Sequence, residues 1–334
     1  MARYTHHPIP IQSRILAGNP LGDPTDRILH VLAPEDGGAG APYPVVWVLP
    51  AYASTAAALL AEDPWEDGLR ARVERLSLSG ALPPALFVVP DCFTAYGGSQ
   101  YLNSPAVGRY EDHLWQELKP AVDARFPTGA HGLVGRSSGG YGALVQALRH
   151  PEHVRAVAAH APDVCFPYAY LPDLLRLATE VTAAGSVEAF LSAFAQARKK
   201  RDGRWIVPLN ALCMAACYSP APDAPGGFEL PIDLASGALR PEVWEKWLAH
   251  DPLRLVVEPG AAERLRGLRL LFLDCGSRDE YGLQWGLRQL VRALDRLGVP
   301  HEHEEFPDGH RSTSYRFDVS LPKVVRALAD RSAP

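Results

Sequence analysis

Short, continuously apolar runs recur along the chain. They are YPVVWVLPAY (43–52), PALFVVPD (84–91), HGLVG (131–135), VRAVAAHAP (154–162) and LRLLFLDCG (268–276). Runs that are apolar throughout, with no alternation, suit strands buried on both faces, as in a parallel sheet covered by helices. Helical spacing fills the gaps between them. GRYEDHLWQELKPAVDARF (108–126) has it, with Pro120 expected to kink or break the helix. GGYGALVQALRH (139–150) stops before Pro151, and the amphipathic GLQWGLRQLVRALDRLG (282–298) stops at Gly298, a good C-cap. LPKVVRALADR (321–331) reads as a last helix. Near the start, IQSRILAG and DRILHVLA flank the turn-rich NPLGDPT and are expected to pair antiparallel at the sheet edge. Strands alternating with helices predict an α/β fold with a mostly parallel, doubly wound sheet.

The alternation breaks once. About 100 residues separate the strand at 154–162 from the one at 268. Helical pieces such as LPDLLRLATEVTAA and VEAFLSAFAQARKK fill the interval, because a structureless loop of that length would be implausible. The expectation is one domain over 1–334, with residues 163–262 as a helical, cap-like insertion over one end of the sheet. Phe166, Tyr168, Tyr170, Trp205, Phe228, Trp244 and Trp247 of this insertion either roof a site or pack its own core.

Composition narrows the partners. The 334 residues are 47% hydrophobic and 21% charged, with a formal net charge of −5. That balance gives no bias toward polyanions. The one basic run, ARKKRDGR (197–204), reads as a solvated helix end. The opening MARYTHHPIPIQSRILAG lacks the apolar core of a secretory signal, and no stretch approaches the roughly 18 apolar residues of a membrane span. Five scattered cysteines do not suggest a disulfide framework. The chain is therefore expected to be cytoplasmic, without nucleic-acid or membrane partners. The oligomeric state, a homo-oligomer included, stays open.

The chemistry starts at VGRSSGG (134–140). GRSSG fits G-x-S-x-G with Ser137 at the centre, after an apolar strand and before a helix. This is the setting of a nucleophile elbow, in which Gly135 and Gly139 leave room for a tight turn. Ser138 then contributes its backbone N–H to an oxyanion site. A serine nucleophile needs a base oriented by a carboxylate, in the chain order Ser, acid, His. HEHEEFPDGHRSTS (301–314) offers His301, His303 and His310. His310 follows the probable strand in a loop and is the expected base. His301 and His303 share a strand face but lack a third ligand, so no metal is expected. Asp279, in the turn after LFLDCG, is the expected acid, with Glu280 and Asp163 as alternatives. The Tyr52 N–H, in the loop after VVWVLP, is the expected second oxyanion donor. Gln100, Tyr101 and Asn103, in the long polar segment 91–110, and Arg136 are candidate substrate contacts.

GRSSGGYGAL after a strand, CGSRDEYG after a late strand, FPDGH near the end and LPAYAST together resemble the putative-esterase family of α/β-hydrolases. That group includes S-formylglutathione hydrolases, feruloyl esterases, siderophore esterases and mycolyltransferases. The resemblance implies the α/β-hydrolase fold, Ser137 as nucleophile, Asp279 as acid and His310 as base, with Tyr52 at the oxyanion position. It implies a small-molecule ester as substrate and no cofactor. An acyltransferase with the same triad, or a non-catalytic binding protein of this fold, would carry similar motifs.

Overall fold

The continuously apolar runs become the central strands of the sheet. A computed structural model describes residues 3–35 and 42–330. Eight strands form the main sheet: β1 (Tyr4–Gln12), β2 (Asp26–Pro34), β3 (Tyr43–Leu49), β4 (Leu86–Val89), β7 (Thr128–Arg136), β8 (Ala156–His160), β9 (Leu270–Gly276) and β10 (Glu302–Phe306). Two short strands, β5 (Asn103–Ser104) and β6 (Gly108–Arg109), make a separate hairpin. The order in the main sheet is β1-β2-β4-β3-β7-β8-β9-β10. From β4 to β10 every pairing is parallel, while β1 and β2 add antiparallel at one edge. β4 and β8 are buried along their whole length, as the absence of alternation required.

Helices cover both faces. One face buries Val46, Val48, Val134 and Phe272 against the helices Leu69–Leu78 and Phe317–Ala329. The other buries Val45, Trp47, Leu133 and Leu271 against the helices Ser138–Arg149 and Leu283–Arg296 and most of the segment between β8 and β9. That segment is helical as expected, its longest helices being Leu171–Ala184 and Gly203–Tyr218. Phe166, Phe228, Trp244 and Trp247 are buried in this second cluster, Trp205 packs on Phe190, and Tyr168 is exposed. The insertion's aromatics therefore build a core, and Tyr170 alone of the seven reaches the cavity described below.

Three local expectations are corrected. The first strand is Tyr4–Gln12, not IQSRILAG; it pairs with β2 from Tyr4↔Pro34 to Gln12↔Asp26. Its Pro8 and Pro10 lie on an edge strand, where a missing N–H is tolerated. Pro120 does not end its helix. Residues His113–Leu118 widen into a π-helical turn, and Lys119–Asp123 continues as α-helix. The last helix begins at Phe317, four residues before the expected start, with Pro322 inside it.

The parallel strands all deliver their carboxyl ends to the same edge of the sheet. The loops after β3, β7, β8, β9 and β10 therefore meet there. Beneath them, Asp274 of β9 is fully buried and bonds His160 Nδ1 of β8 at 2.6 Å and Arg316 Nε at 2.7 Å. His160 Nε2 pairs with Ser320 Oγ of the last helix at 2.8 Å, and Arg316 also bonds Glu304 of β10. This network ties β8, β9, β10 and the last helix together below the loop ends. Removing the carboxylate leaves Arg316 and His160 facing a cavity without their partner. Asp274→Ala should therefore cost about 3–5 kcal/mol in a urea unfolding titration. A loss no larger than that of an ordinary surface substitution would contradict this role.

Candidate active site

β7 runs straight into the helix Ser138–Arg149, and the reversal falls on Ser137. Its backbone has φ 55° and ψ −127°, a region that costs a side-chain-bearing residue about 1–3 kcal/mol. Surrounding contacts hold it there. The Ser137 N–H donates to His160 O at 2.9 Å, and Ser137 O accepts from Tyr141 N at 2.8 Å. The glycines are required by close approach. A methyl group at Gly139 would lie 2.2 Å from Leu49 O, and one at Gly135 would lie 2.2 Å from Gly139 O. The strand–turn–helix elbow expected from GRSSG is therefore present.

Two loops bring the imidazole and its carboxylate together. Asp279 follows β9, and His310 follows β10. His310 Nδ1 lies 2.7 Å from Asp279 Oδ2, and both residues are at most 8% exposed. Asp279 Oδ1 accepts the Tyr281 N–H at 2.9 Å. Glu280 does not meet the imidazole: its Oε2 accepts the His310 backbone N–H at 2.6 Å. The two loops approach closely: a methyl at Gly276 would come within 2.4 Å of both Asp308 O and Gly309 O. The Tyr281 ring meets the His310 ring edge-on at 4.9 Å. On the other side, Arg136 Nη1 donates to His310 O and to Thr313 Oγ1, each at 3.2 Å.

Ser137 and His310 line one cavity of about 340 Å³. No hydrogen bond joins them among the described residues. Ser137 Oγ points instead to Asp163 Oδ1 at 3.5 Å. Asp163 is buried and accepts from Ser138 Oγ at 3.0 Å and Tyr170 Oη at 2.9 Å. Burial pushes its carboxyl above the usual range, against the lowering pull of the Tyr170 and Ser138 hydrogen bonds. Asp163 thus stands beside Ser137, while the His310 imidazole is bonded to Asp279. Tyr52 and Ser138 line the same cavity, and the backbone N–H of neither donates to a protein acceptor among the described residues.

Residues 24–328 match the putative esterase family. The chain belongs to that family. It is a carboxylesterase-type hydrolase with the α/β-hydrolase fold. Solved structures repeat the architecture at low identity. A ferulic acid esterase superposes with a TM-score of 0.62 at 18% identity, over 98% of this chain and 100% of its own. A fluorophosphonate-binding serine hydrolase of Staphylococcus aureus gives 0.59 at 15%, over 98% and 99%. An S-formylglutathione hydrolase from Agrobacterium tumefaciens gives 0.56 at 16%, over 98% and 97%.

The esterase cavity is polar. Arg136, Asp173, Arg201, Asn210 and Arg311 line it, with Ile206, Val207 and Leu283. The segment 91–110 contributes less than expected. Gln100 lies outside the cavity wall, though its Nε2 reaches Tyr218 Oη at 2.8 Å and Asp163 Oδ2 at 3.5 Å. Tyr101 is buried, with its hydroxyl on Pro50 O at 2.6 Å. Asn103 is exposed in the small hairpin, where its side chain accepts the Asp112 N–H. These two serve the backbone and do not face the cavity.

The insertion supplies the residues that sequence reading passed over. Arg201 belongs to the basic run read as a solvated helix end. Its guanidinium donates to Ala53 O at 2.9 Å, in the loop that carries Tyr52. Asn210 Oδ1 is buried and has no hydrogen-bond partner among the described residues. Neither residue stands in a motif, so only the fold reveals its place.

Asp173, which lines the cavity, has a shifted carboxyl. Burial pushes its carboxyl up to about 6, with the Arg176 charge opposing. The folded value lies above the unfolded one, so ionisation disfavours the folded state. That cost is absent below pH 3.8 and complete above about pH 6. Asp173→Asn should therefore raise Tm relative to wild type above about pH 6, and the two curves should converge near pH 3.8. A pH-independent Tm difference would rule out this account.

Proposed function

We propose that the protein hydrolyses a small-molecule carboxylic ester through an acyl-enzyme on Ser137, with His310 as general base and Asp279 as the carboxylate that orients it. One observation carries this reading. The His310–Asp279 pair, at 2.7 Å, opens on the cavity where Ser137 is held at a strained elbow.

In the first step Ser137 Oγ turns from Asp163 toward His310. It gives its proton to Nε2 and bonds to the ester carbonyl carbon. The carbonyl electron pair moves onto oxygen, facing the N–H groups of Tyr52 and Ser138. The bond to the alcohol then breaks, and the imidazolium returns the proton to the leaving oxygen. Water enters, His310 takes one of its protons, and a second tetrahedral intermediate collapses to release the acid and restore Ser137. Asp279 stays ionised and stabilises the imidazolium in both halves. Every proton is moved by His310, so the scheme calls for no cofactor.

The lining supports an ester with polar or charged substituents. Arg136, Arg201 and Arg311 border the cavity, and the Asn210 carbonyl oxygen has no protein donor among the described residues. The five cysteines are buried and unpaired, which supports a reducing compartment such as the cytoplasm.

A fluorophosphonate probe should label the protein, and Ser137→Ala should abolish labelling and lower kcat by roughly 10³-fold or more. An intact protein that resists labelling would overturn the mechanism. The acid has a separate test in ester hydrolysis. Asp279→Asn should lose about 10³–10⁴ in kcat, while Glu280→Gln and Asp163→Asn stay far closer to wild type. Near-full activity in Asp279→Asn would remove it from the triad.

A further inference from the structure

The helix that starts at Ser138 ends at Arg149, and the chain reverses through His150-Pro151-Glu152-His153. His153 N donates to His150 O at 3.0 Å, closing a four-residue turn with proline at its second position. The turn brings the first and fourth side chains to one side. Their rings stack with centroids 6.0 Å apart and planes 11° from parallel. Trp115, which is buried, packs beneath both, 5.8 Å from the His150 ring and 4.9 Å from the His153 ring.

Three ligand atoms converge on this platform. Glu152 Oε1 lies 3.2 Å from His150 Nδ1 and 3.6 Å from His153 Nε2. One ligand atom from each residue lies within 4.8 Å of the other two. Ligand atoms around a tetrahedral ion with bonds of about 2.1 Å are about 3.4 Å apart. Two of the three separations already match, and the third is no more than 4.8 Å.

The surroundings fix the donors. His150 Nε2 pairs with Glu111 Oε1 at 2.8 Å, so Nδ1 is the nitrogen left to face Glu152. Glu111 is nearly buried and is itself held by Arg149 at 3.0 Å. A carboxylate on the far nitrogen of a metal-bound histidine orients the ring and raises its basicity. The nearby Lys119 is paired with Asp123 at 2.7 Å. His150 is also the C-cap of a twelve-residue helix, whose carboxyl end favours a cation.

We propose that this turn binds one divalent metal ion of the zinc class through His150 Nδ1, Glu152 Oε1 and His153 Nε2, with water completing the shell on the solvent side. Two imidazoles and one carboxylate select zinc, nickel, cobalt or copper over magnesium and calcium. The site lies at the opposite end of the helix from Ser137, so it braces the helix and takes no part in acyl transfer. All five thiols are buried and unpaired, which keeps them from competing for the ion.

The test is calorimetric titration of the untagged full chain with zinc and, separately, magnesium. One equivalent of zinc should bind and raise Tm as its concentration grows, with no comparable effect of magnesium. His153→Ala should remove the binding, and so should His153→Gln, which keeps a polar side chain should the alanine variant fold poorly. Glu111→Gln should weaken it about 10–100-fold. Absence of saturable zinc binding, or stoichiometric binding that survives both His153 substitutions, would overturn the proposal.

Discussion

The site depends on backbone packing around one strained residue. Ser137 keeps φ 55° because strand β7, the following helix and the end of β3 approach so closely that only glycine fits at 135 and 139. The strain is local, while the contacts that outweigh it are spread through the sheet. His160 O receives the Ser137 N–H, and the His160 side chain is locked between Asp274 and Ser320. The elbow is therefore fixed from below by a buried polar network as well as from the sides by glycine contacts.

That network shows why residue type alone does not make a site. Ser320, His160 and Asp274 repeat the serine, histidine and aspartate of the proposed triad, with one short bond from the imidazole to the carboxylate. They are sealed under the last helix, at 0%, 3% and 0% exposure. Ser137 and His310 instead border a cavity. Access for a substrate, not the chemistry of the three groups, separates the two arrangements.

The cavity is shared between the sheet and the insertion. The sheet brings Ser137, His310 and the Tyr52 loop to one edge, because parallel strands end together. The insertion adds Tyr170, Asp173, Arg201 and Asn210. Asp163 joins the two parts, with Ser138 and Tyr170 on one oxygen and Ser137 near the other. The resting direction of the Ser137 hydroxyl thus depends on a carboxylate whose surroundings come partly from the insertion.

The α/β architecture was legible in the sequence, because strands buried on both faces must be apolar throughout and the helices between them must be amphipathic. The Ser137 elbow was legible too, since its glycines are the only residues small enough for that backbone. Ser137, Asp279 and His310 all follow parallel strands, which deliver their carboxyl ends to one edge of the sheet. Other features had no local signature. Arg201 looks like any solvated arginine until the insertion folds back and sets it against Ala53 O. Asn103 and Tyr101 sit in a polar loop that follows a strand end, yet their side chains serve the backbone. Periodicity and close packing are properties of neighbours in the chain and can be read along it. The lining of a cavity, and the direction of a serine hydroxyl, depend on residues far apart in sequence, so the tertiary structure alone decided them.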